Sequence, residues 1–126
     1  MKDTISLALE AARDKKAEEA IGLDLRNLSS FTDYFLVCHG RNRRQVQAIS
    51  DHIEATLREH KIRPKHIEGY QQGEWILLDY SDVIIHVFIQ ERREALLLEK
   101  LWGDAPRLEF PGEAAETEER RKIDNR

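Results

Sequence analysis

Gly40 separates an apolar run from a helix-forming run, an arrangement that can hold a phosphate at the helix N-terminus. Nucleotidyltransferases add two carboxylates on the next strand, which bind paired metal ions. The strand predicted after the helix offers only one carboxylate, Glu68, and the segment 24–26 places a cation where the second anion is needed. Asp79 and Asp82 are three apart across a turn and are not expected to converge. A nucleotidyltransferase-like enzyme or nucleotide-binding protein is therefore the alternative interpretation, and it lacks its metal pair.

No spacing of residues in the sequence supports a metal site or nucleophilic catalysis. The five histidines show no tight ligand spacing, and Cys38 stands alone in an apolar run, where we predict a buried, inert thiol. No nucleophile elbow surrounds Ser29 or Ser30, and residues 29–33 predict a loop that caps its own backbone amides. The sequence predicts a protein that is not an enzyme, without catalytic residues, metal or cofactor.

Three arginines, Arg41, Arg43 and Arg44, cluster at the start of the second predicted helix. Guanidinium groups at a helix N-terminus can bind phosphate, which here would be a minor contact with RNA or a nucleotide. A solvated run of charge is the commoner explanation for such a cluster. Both interpretations stay open.

Residues 75–88 predict a β-hairpin with two unlike faces, joined by a two-residue loop at Ser81-Asp82. One face would be nearly all aliphatic and would carry Ile76, Leu78, Tyr80, Val83, Ile85 and Val87. The other face would carry Trp75, Leu77, Asp79, Ile84, His86 and Phe88. Asp79 and His86 would be diagonal neighbours within reach of a hydrogen bond. Either this mixed face is buried beneath the first helix, with those two side chains satisfying each other, or it is a partly exposed recognition surface. The exposure of Trp75 decides between the two.

Hydrophobic periodicity predicts the elements that would position these residues. Helices are predicted over 3–20, from the N-cap Asn42 to before Arg63, and over 91–102. Strands are predicted over 21–25, 34–38, 65–69, 75–80 and 83–88. The continuously apolar run 34–38 is typical of a central strand covered on both faces. This order predicts an α/β (α+β) fold, a mixed five-stranded sheet with helices packed on it. We assign 1–105 to one domain and 106–126 to an appended, charged C-terminal tail.

The bulk composition favours a protein partner over bare nucleic acid. The 126 residues carry a net charge of −4, whereas proteins that bind nucleic acid directly usually present a basic face. An acidic chain more naturally meets a basic protein. Neither a signal core nor a run long enough to span a bilayer is present, so we expect no membrane partner and a cytoplasmic location.

Six motifs follow one another along the chain: the segments 14–19 (DKKAEE), 28–35 (LSSFTDYF), 44–49 (RQVQAI), 66–69 (HIEG), 73–88 (GEWILLDYSDVIIHVF) and 101–105 (LWGDA). In this order they resemble the ribosomal silencing factor (Iojap) family. The likeness covers about residues 3–105. Residues 38–43 are more basic than the usual turn of the family, and nothing carries over to the tail after Pro106.

The resemblance implies a fold distantly related to nucleotidyltransferases, with catalysis lost. It also implies binding to the fourteenth protein of the large ribosomal subunit, on the face where the subunits join. A protein bound there would exclude the small subunit sterically and repress translation when nutrients are scarce. Relatives in organelles act in ribosome biogenesis.

Our hypothesis is that the hairpin and the strand before it supply the docking surface. Its members would be Trp75, Leu77, Asp79, Tyr80, Asp82, His66, Glu68 and Tyr70. The aromatic residues would be anchors, and Asp79, Asp82 and Glu68 would meet basic groups. Tyr80 falls on the apolar face, but its hydroxyl is expected to reach the rim. Two further partners stay open: a second copy, since the same face could pair with itself in a homodimer, and rRNA through the arginine cluster.

Overall fold

The computed structural model describes residues 3–96 and 105–108, which contain three helices and five strands. The helices are α1 (Thr4–Asp14), α2 (Arg43–Glu59) and α3 (Gln90–Leu96). The strands are β1 (Glu18–Asp24), β2 (Tyr34–Gly40), β3 (His66–Glu68), β4 (Trp75–Asp79) and β5 (Val83–Ile89). The predicted order of elements is confirmed.

The strands form one five-stranded sheet in the order β1-β2-β5-β4-β3. The central pair, β2 and β5, is parallel, and the other pairs are antiparallel, so the sheet is mixed, as predicted. In β2 every residue after Tyr34 is buried. The prediction of a central strand covered on both faces is confirmed, and the strand extends to Gly40.

The first helix is shorter than the periodicity predicts, and a tertiary contact holds the turn that follows it. The prediction of a helix over 3–20 is wrong beyond Asp14, since Lys16 has a positive φ of 64° and β1 begins at Glu18. The side-chain amide of Gln45, on α2, donates to the backbone oxygens of Lys15 and Lys16 at 3.3 and 3.1 Å. These bonds satisfy carbonyls that a helix end leaves without partners.

Both long helices pack on the same face of the sheet. Their buried side chains, among them Leu9, Ile49 and Ile53, form one cluster with the aliphatic face of the β4–β5 hairpin. A second cluster lies on the opposite face and contains Leu23, Leu25, Phe35, Val37, Phe88 and Ala105, with no residue of α1 or α2 among its described members. On this opposite face Trp75 and Ile84 pack against the second cluster and stay partly exposed.

The third helix is tied to the sheet by a buried arginine. Arg93 donates from Nη1 to the backbone oxygen of Glu19 at 2.8 Å and to Nδ1 of His39 at 2.9 Å. Glu19 lies where the β1–β2 register shifts, a point at which carbonyls lose their ladder partners. The helix was predicted over 91–102, and residues 97–102 lie outside the described residues.

A short segment near the C-terminus adds to the edge of β1. Pro106 accepts from the backbone N–H of Asp24 at 2.8 Å, Arg107 pairs with Leu23, and Leu108 donates to Gly22 at 2.9 Å. Residues 106–108, which we assigned to the tail, thus extend the sheet. The domain boundary stays a prediction, and residues 109–126 lie outside the described residues.

Candidate docking surface

Strand register brings most of the candidate residues onto one face of the sheet. Within the hairpin the pairs Trp75–Phe88, Leu77–His86 and Asp79–Ile84 lie directly opposite each other, as predicted. The neighbouring strand places His66 opposite Asp79 and Glu68 opposite Leu77. We call this set of eight the mixed face: His66, Glu68, Trp75, Leu77, Asp79, Ile84, His86 and Phe88.

The Trp75 side chain is partly buried, which places it between the two predicted alternatives. The prediction that α1 covers this face is wrong, because α1 packs on the opposite side of the sheet. The indole lies against Phe88, with ring centroids 5.1 Å apart, and its Nε1 donates to Nδ1 of His86 at 3.1 Å. The indole is thus held by two neighbouring side chains while part of its surface stays exposed, which suits an anchor that inserts into a partner.

The expected bond between Asp79 and His86 does not form. Asp79 instead accepts from the backbone N–H of Ser81 at 2.8 Å, and its other oxygen lies 3.6 Å from Nδ1 of His66. His86 instead takes Trp75 as its partner, with Nδ1 accepting from the indole N–H at 3.1 Å. Its second nitrogen, Nε2, is buried with no partner among the described residues.

Burial lowers the pKa of His86 from an ordinary 6.5 to about 4. Between pH 6.5 and pH 4 the His86 imidazole is protonated in the unfolded chain but neutral in the folded chain. The free energy of unfolding is therefore not lowered by this group above pH 6.5, and it decreases as the pH falls toward 4. We expect the free energy of unfolding to fall by about 2 kcal/mol between pH 7 and pH 5 from this group alone. Urea denaturation of the protein and of His86→Leu at both values measures this contribution. An identical decrease in the two proteins would contradict it.

Acidic groups line the edge of the mixed face. Glu68 is exposed, and the Asp79 side chain is 19% exposed. His66 lies between them, with its Nε2 3.3 Å from an oxygen of Glu68. Asp82 is exposed at the hairpin turn, where Ser81 adopts a positive φ of 69°. The edge offers carboxylates to a basic partner while the middle of the face is aromatic and aliphatic.

Both candidate tyrosines, Tyr70 and Tyr80, lie away from this face. Tyr80 is 8% exposed, and its hydroxyl is buried in the cluster beneath the helices with no partner among the described residues, so the expectation that it reaches the rim is wrong. Burial raises the pKa of Tyr80 to about 12. Tyr70 turns to α2, where its hydroxyl donates to Asp51 at 3.0 Å and its backbone oxygen accepts from Gln47. Neither residue joins the proposed surface.

A residue that sequence reasoning missed continues the mixed face. Phe31 is 62% exposed in the loop between β1 and β2, and its ring lies 6.5 Å from that of Phe35. Phe35 in turn lies 4.6 Å from His86, so an aromatic row runs from the loop to Trp75. The loop does cap itself as predicted, with Ser29 Oγ accepting from the backbone N–H of Phe31 at 3.2 Å. The signal available in the sequence was a large apolar residue within a Ser-rich loop, since such a residue on the surface often marks an interaction site.

A family model described as ribosomal silencing factor during starvation matches residues 1–126. The chain belongs to the ribosomal silencing factor family. A protein of Halalkalibacterium halodurans named ribosomal silencing factor RsfS is 44% identical over 110 residues, which are 87% of this chain and 94% of that protein. A mouse protein named mitochondrial assembly of ribosomal large subunit protein 1 is 27% identical over 101 residues, 78% of this chain and 44% of the mouse protein.

A solved structure of the same fold comes from Chromobacterium violaceum. It is 34% identical in sequence, superposes with a TM-score of 0.78, and covers 89% of this chain and 92% of the other. The mixed five-stranded sheet with packed helices is thus the fold of a silencing factor. The relatives carry the name of a regulatory family, which agrees with the missing carboxylate pair of the nucleotidyltransferase interpretation.

Two arginines of the cluster, Arg41 and Arg43, are paired with acidic residues of the same chain. Arg41 Nε lies 2.6 Å from a Glu18 oxygen, and Arg43 Nη2 lies 2.8 Å from a Glu74 oxygen. The hydrogen bond to Arg41 and the nearby charge lower the pKa of the Glu18 carboxyl. The helix N-terminus is capped by Asn42, which accepts from the N–H of Gln45 at 2.8 Å as predicted. A phosphate contact here would have to displace these partners, and it stays a prediction.

The described residues offer neither a reactive thiol nor a cluster of metal ligands. Burial raises the pKa of the Cys38 thiol to about 12, as expected for an inert cysteine. Across residues 3–96 and 105–108, no group of three or more His, Cys, Asp or Glu side chains could hold a metal ion. In those same ranges no helix has the length and apolar character needed to cross a membrane.

Proposed function

We propose that this family member docks on the large ribosomal subunit through the mixed face and prevents joining with the small subunit, which represses translation. The observation that carries the proposal is the partly buried Trp75, held by His86 and Phe88 on the sheet face opposite to α1 and α2. The large-subunit name of the mouse relative and the silencing name of the bacterial one support the same partner.

The partner within the subunit is proposed to be its fourteenth ribosomal protein, at the face where the subunits join. The chemistry of the mixed face supports a basic protein surface, because carboxylates of Glu68 and Asp79 flank aromatic and aliphatic anchors. Complementary charge speeds encounter and fixes orientation, whereas the desolvated anchors supply most of the affinity. The proposal places the protein in the cytoplasm, with rRNA touched at most by Arg41, Arg43 or Arg44.

A subunit-joining assay tests the function. Purified large subunits are incubated with the protein before small subunits are added, and the joined particles are separated on a sucrose gradient. We expect the joined peak to fall in proportion to the bound protein. Adding the protein after joining serves as the control for order of binding. An undiminished joined peak with protein bound to the large subunit would refute steric exclusion.

Phe31 is proposed as a second anchor at the loop end of the surface. Because its ring is 62% exposed, Phe31→Ala should leave thermal stability nearly unchanged. Affinity for the large subunit should fall about tenfold, the equivalent of about 1.4 kcal/mol. Quantitative co-sedimentation measures this change. The matched control is Leu28→Ala, which removes the neighbouring exposed apolar side chain of the same loop. Unchanged affinity in the folded Phe31 variant would exclude the loop from the surface.

Self-association through the mixed face is proposed to compete with docking. Sedimentation equilibrium over a range of protein concentrations would show the dimer, and Trp75→Glu should weaken it together with ribosome binding. A dimer that persists in that variant would place the self-association elsewhere on the molecule.

A further inference from the structure

We propose that His86 is a positioning residue that fixes the orientation of the Trp75 indole for docking. The Nε1 of Trp75 donates to Nδ1 of His86 at 3.1 Å, across neighbouring strands of the hairpin. The consequence for docking rests on the proposed function, whereas the orientation of the indole can be measured without any ribosome.

The bond to Trp75 determines which proton His86 carries. An indole N–H is a donor only, so Nδ1 must be an acceptor and the imidazole proton must sit on Nε2. The ring is therefore neutral, in a single tautomer. Burial keeps it so, since the side chain is 4% exposed and burial disfavours the imidazolium.

The imidazole is itself held by rings on both sides. Phe88 stacks on it with a centroid distance of 6.0 Å and an interplanar angle of 6°, and Phe35 meets it edge-on at 4.6 Å. The charged and titratable groups of this side of the sheet lie toward its ends: Asp79 with His66 on β4 and β3, and His39 with Glu18 and Arg93 on β2, β1 and α3. The acceptor that Trp75 meets is thus fixed in place by apolar packing.

The placement of His86 leaves one of its polar atoms buried without a partner, and the packing of the rings does not by itself explain why a histidine occupies this site. Nε2 is buried without a hydrogen-bond partner among the described residues, so its N–H is left unsatisfied. An aliphatic or phenyl side chain would fill this site without that penalty. What those side chains lack is an acceptor for the indole. The bond to the indole is thus what His86 supplies in place of a better-satisfied apolar side chain, which supports its role in orienting Trp75.

An indole that is already oriented in the free protein allows tighter binding, because its conformational freedom is lost before the partner is contacted. A tryptophan that already occupies its bound rotamer does not pay the ordering cost when a partner closes over it. Without the acceptor, the ring could leave its place against Phe88 and sample other rotamers. Docking should then weaken although every anchor side chain is still present.

Two variants separate the acceptor from the packing. His86→Leu fills the site and removes the acceptor, whereas His86→Asn keeps an acceptor oxygen near the position of Nδ1. Both are made in a Trp102→Phe background, so that Trp75 contributes the single indole signal of the chain. Indole ¹⁵N–¹H spectra and the hydrogen-exchange rate of that N–H report its bond directly.

The expected result is a slowly exchanging, downfield-shifted indole N–H in the parent protein, a faster and shifted one in His86→Leu, and recovery in His86→Asn. In the parent the signal should change as the pH falls through about 4, the pKa of His86, and it should not change there in His86→Leu. Binding to purified large subunits should weaken about tenfold in His86→Leu and recover at least in part in His86→Asn.

An indole signal that is the same in the parent and in folded His86→Leu would overturn the positioning role, as would equal affinity of these two proteins. If the parent protein fails to bind the large subunit, the docking function is wrong, and the spectra still decide whether His86 holds the indole. A variant that loses its dispersed backbone spectrum is replaced by His86→Phe, which matches the neighbouring rings and likewise lacks the acceptor.

Discussion

Replacing Trp75 by glutamate is expected to abolish co-sedimentation with the large ribosomal subunit. The indole is the largest side chain on the mixed face, and it is partly buried against Phe88 on the side of the sheet opposite to α1 and α2. Truncating a central anchor of this kind typically costs about 2 kcal/mol or more, about thirtyfold in affinity. A carboxylate at this position would also have to be desolvated at the interface without a placed partner.

The measurement is sedimentation of purified large subunits with wild-type and variant protein at equal concentration. Tyr70→Ala is the matched control, because Tyr70 is an exposed aromatic residue that turns to α2, away from the mixed face. The circular dichroism spectrum of each variant should match that of the parent. Normal co-sedimentation of folded Trp75→Glu would remove the hairpin from the docking surface.

Replacing Gly69 by alanine is expected to give the largest loss of stability. Gly69 adopts a φ of +80° in the connection between β3 and β4, a conformation that side chains rarely tolerate. A Cβ at this position would overlap the backbone oxygen of Trp75, which cannot rotate away as a side chain could. The unfavourable φ and the overlap with the Trp75 oxygen should together lower the free energy of unfolding by about 4 kcal/mol and the melting temperature by about 10–15 °C.

Gly40→Ala is the matched control for that loss. The atoms nearest to a Cβ at Gly40 would belong to the side chain of Gln45, at 3.2 Å, which would have to shift by only a few tenths of an ångström. Calorimetry of the two variants should therefore show a small decrease for Gly40 and a large one for Gly69. Because Gly69 sets the start of β4, its variant should also bind the large subunit weakly at temperatures where it is still folded. Equal melting temperatures would show that the β3–β4 connection can relax.

The hairpin was predictable because its information is local. Side chains alternate with a period of two, and a two-residue turn sets the register, so the pairs from Trp75–Phe88 to Asp79–Ile84 follow from the order of residues. The division into an aliphatic face and a mixed face followed for the same reason. The central place of β2 was likewise evident from its continuous apolar run.

Hydrogen-bond partners could not be predicted in the same way. Asp79 was expected to bond His86, yet Asp79 turns to Ser81 and His66 while His86 takes Trp75. A side chain of a strand pair reaches several donors of similar distance, and small shifts of strand twist decide among them. Exchanging one partner changes which group is left unsatisfied, and here that group is Nε2 of His86.

The sequence by itself determined the family, the order of the elements, the mixed sheet and the residues that share each face of the hairpin, because periodicity, turn chemistry and motif order act over short distances. Only the tertiary structure decided what covers each face: α1 and α2 both lie on the aliphatic side, Tyr80 is sealed beneath them, and Phe31 stands exposed at the end of an aromatic row. Such outcomes depend on contacts between segments far apart in the chain, such as Gln45 with Lys16 or Tyr70 with Asp51. No local pattern specifies those contacts, since they form only when the whole sheet has set the distances between its layers.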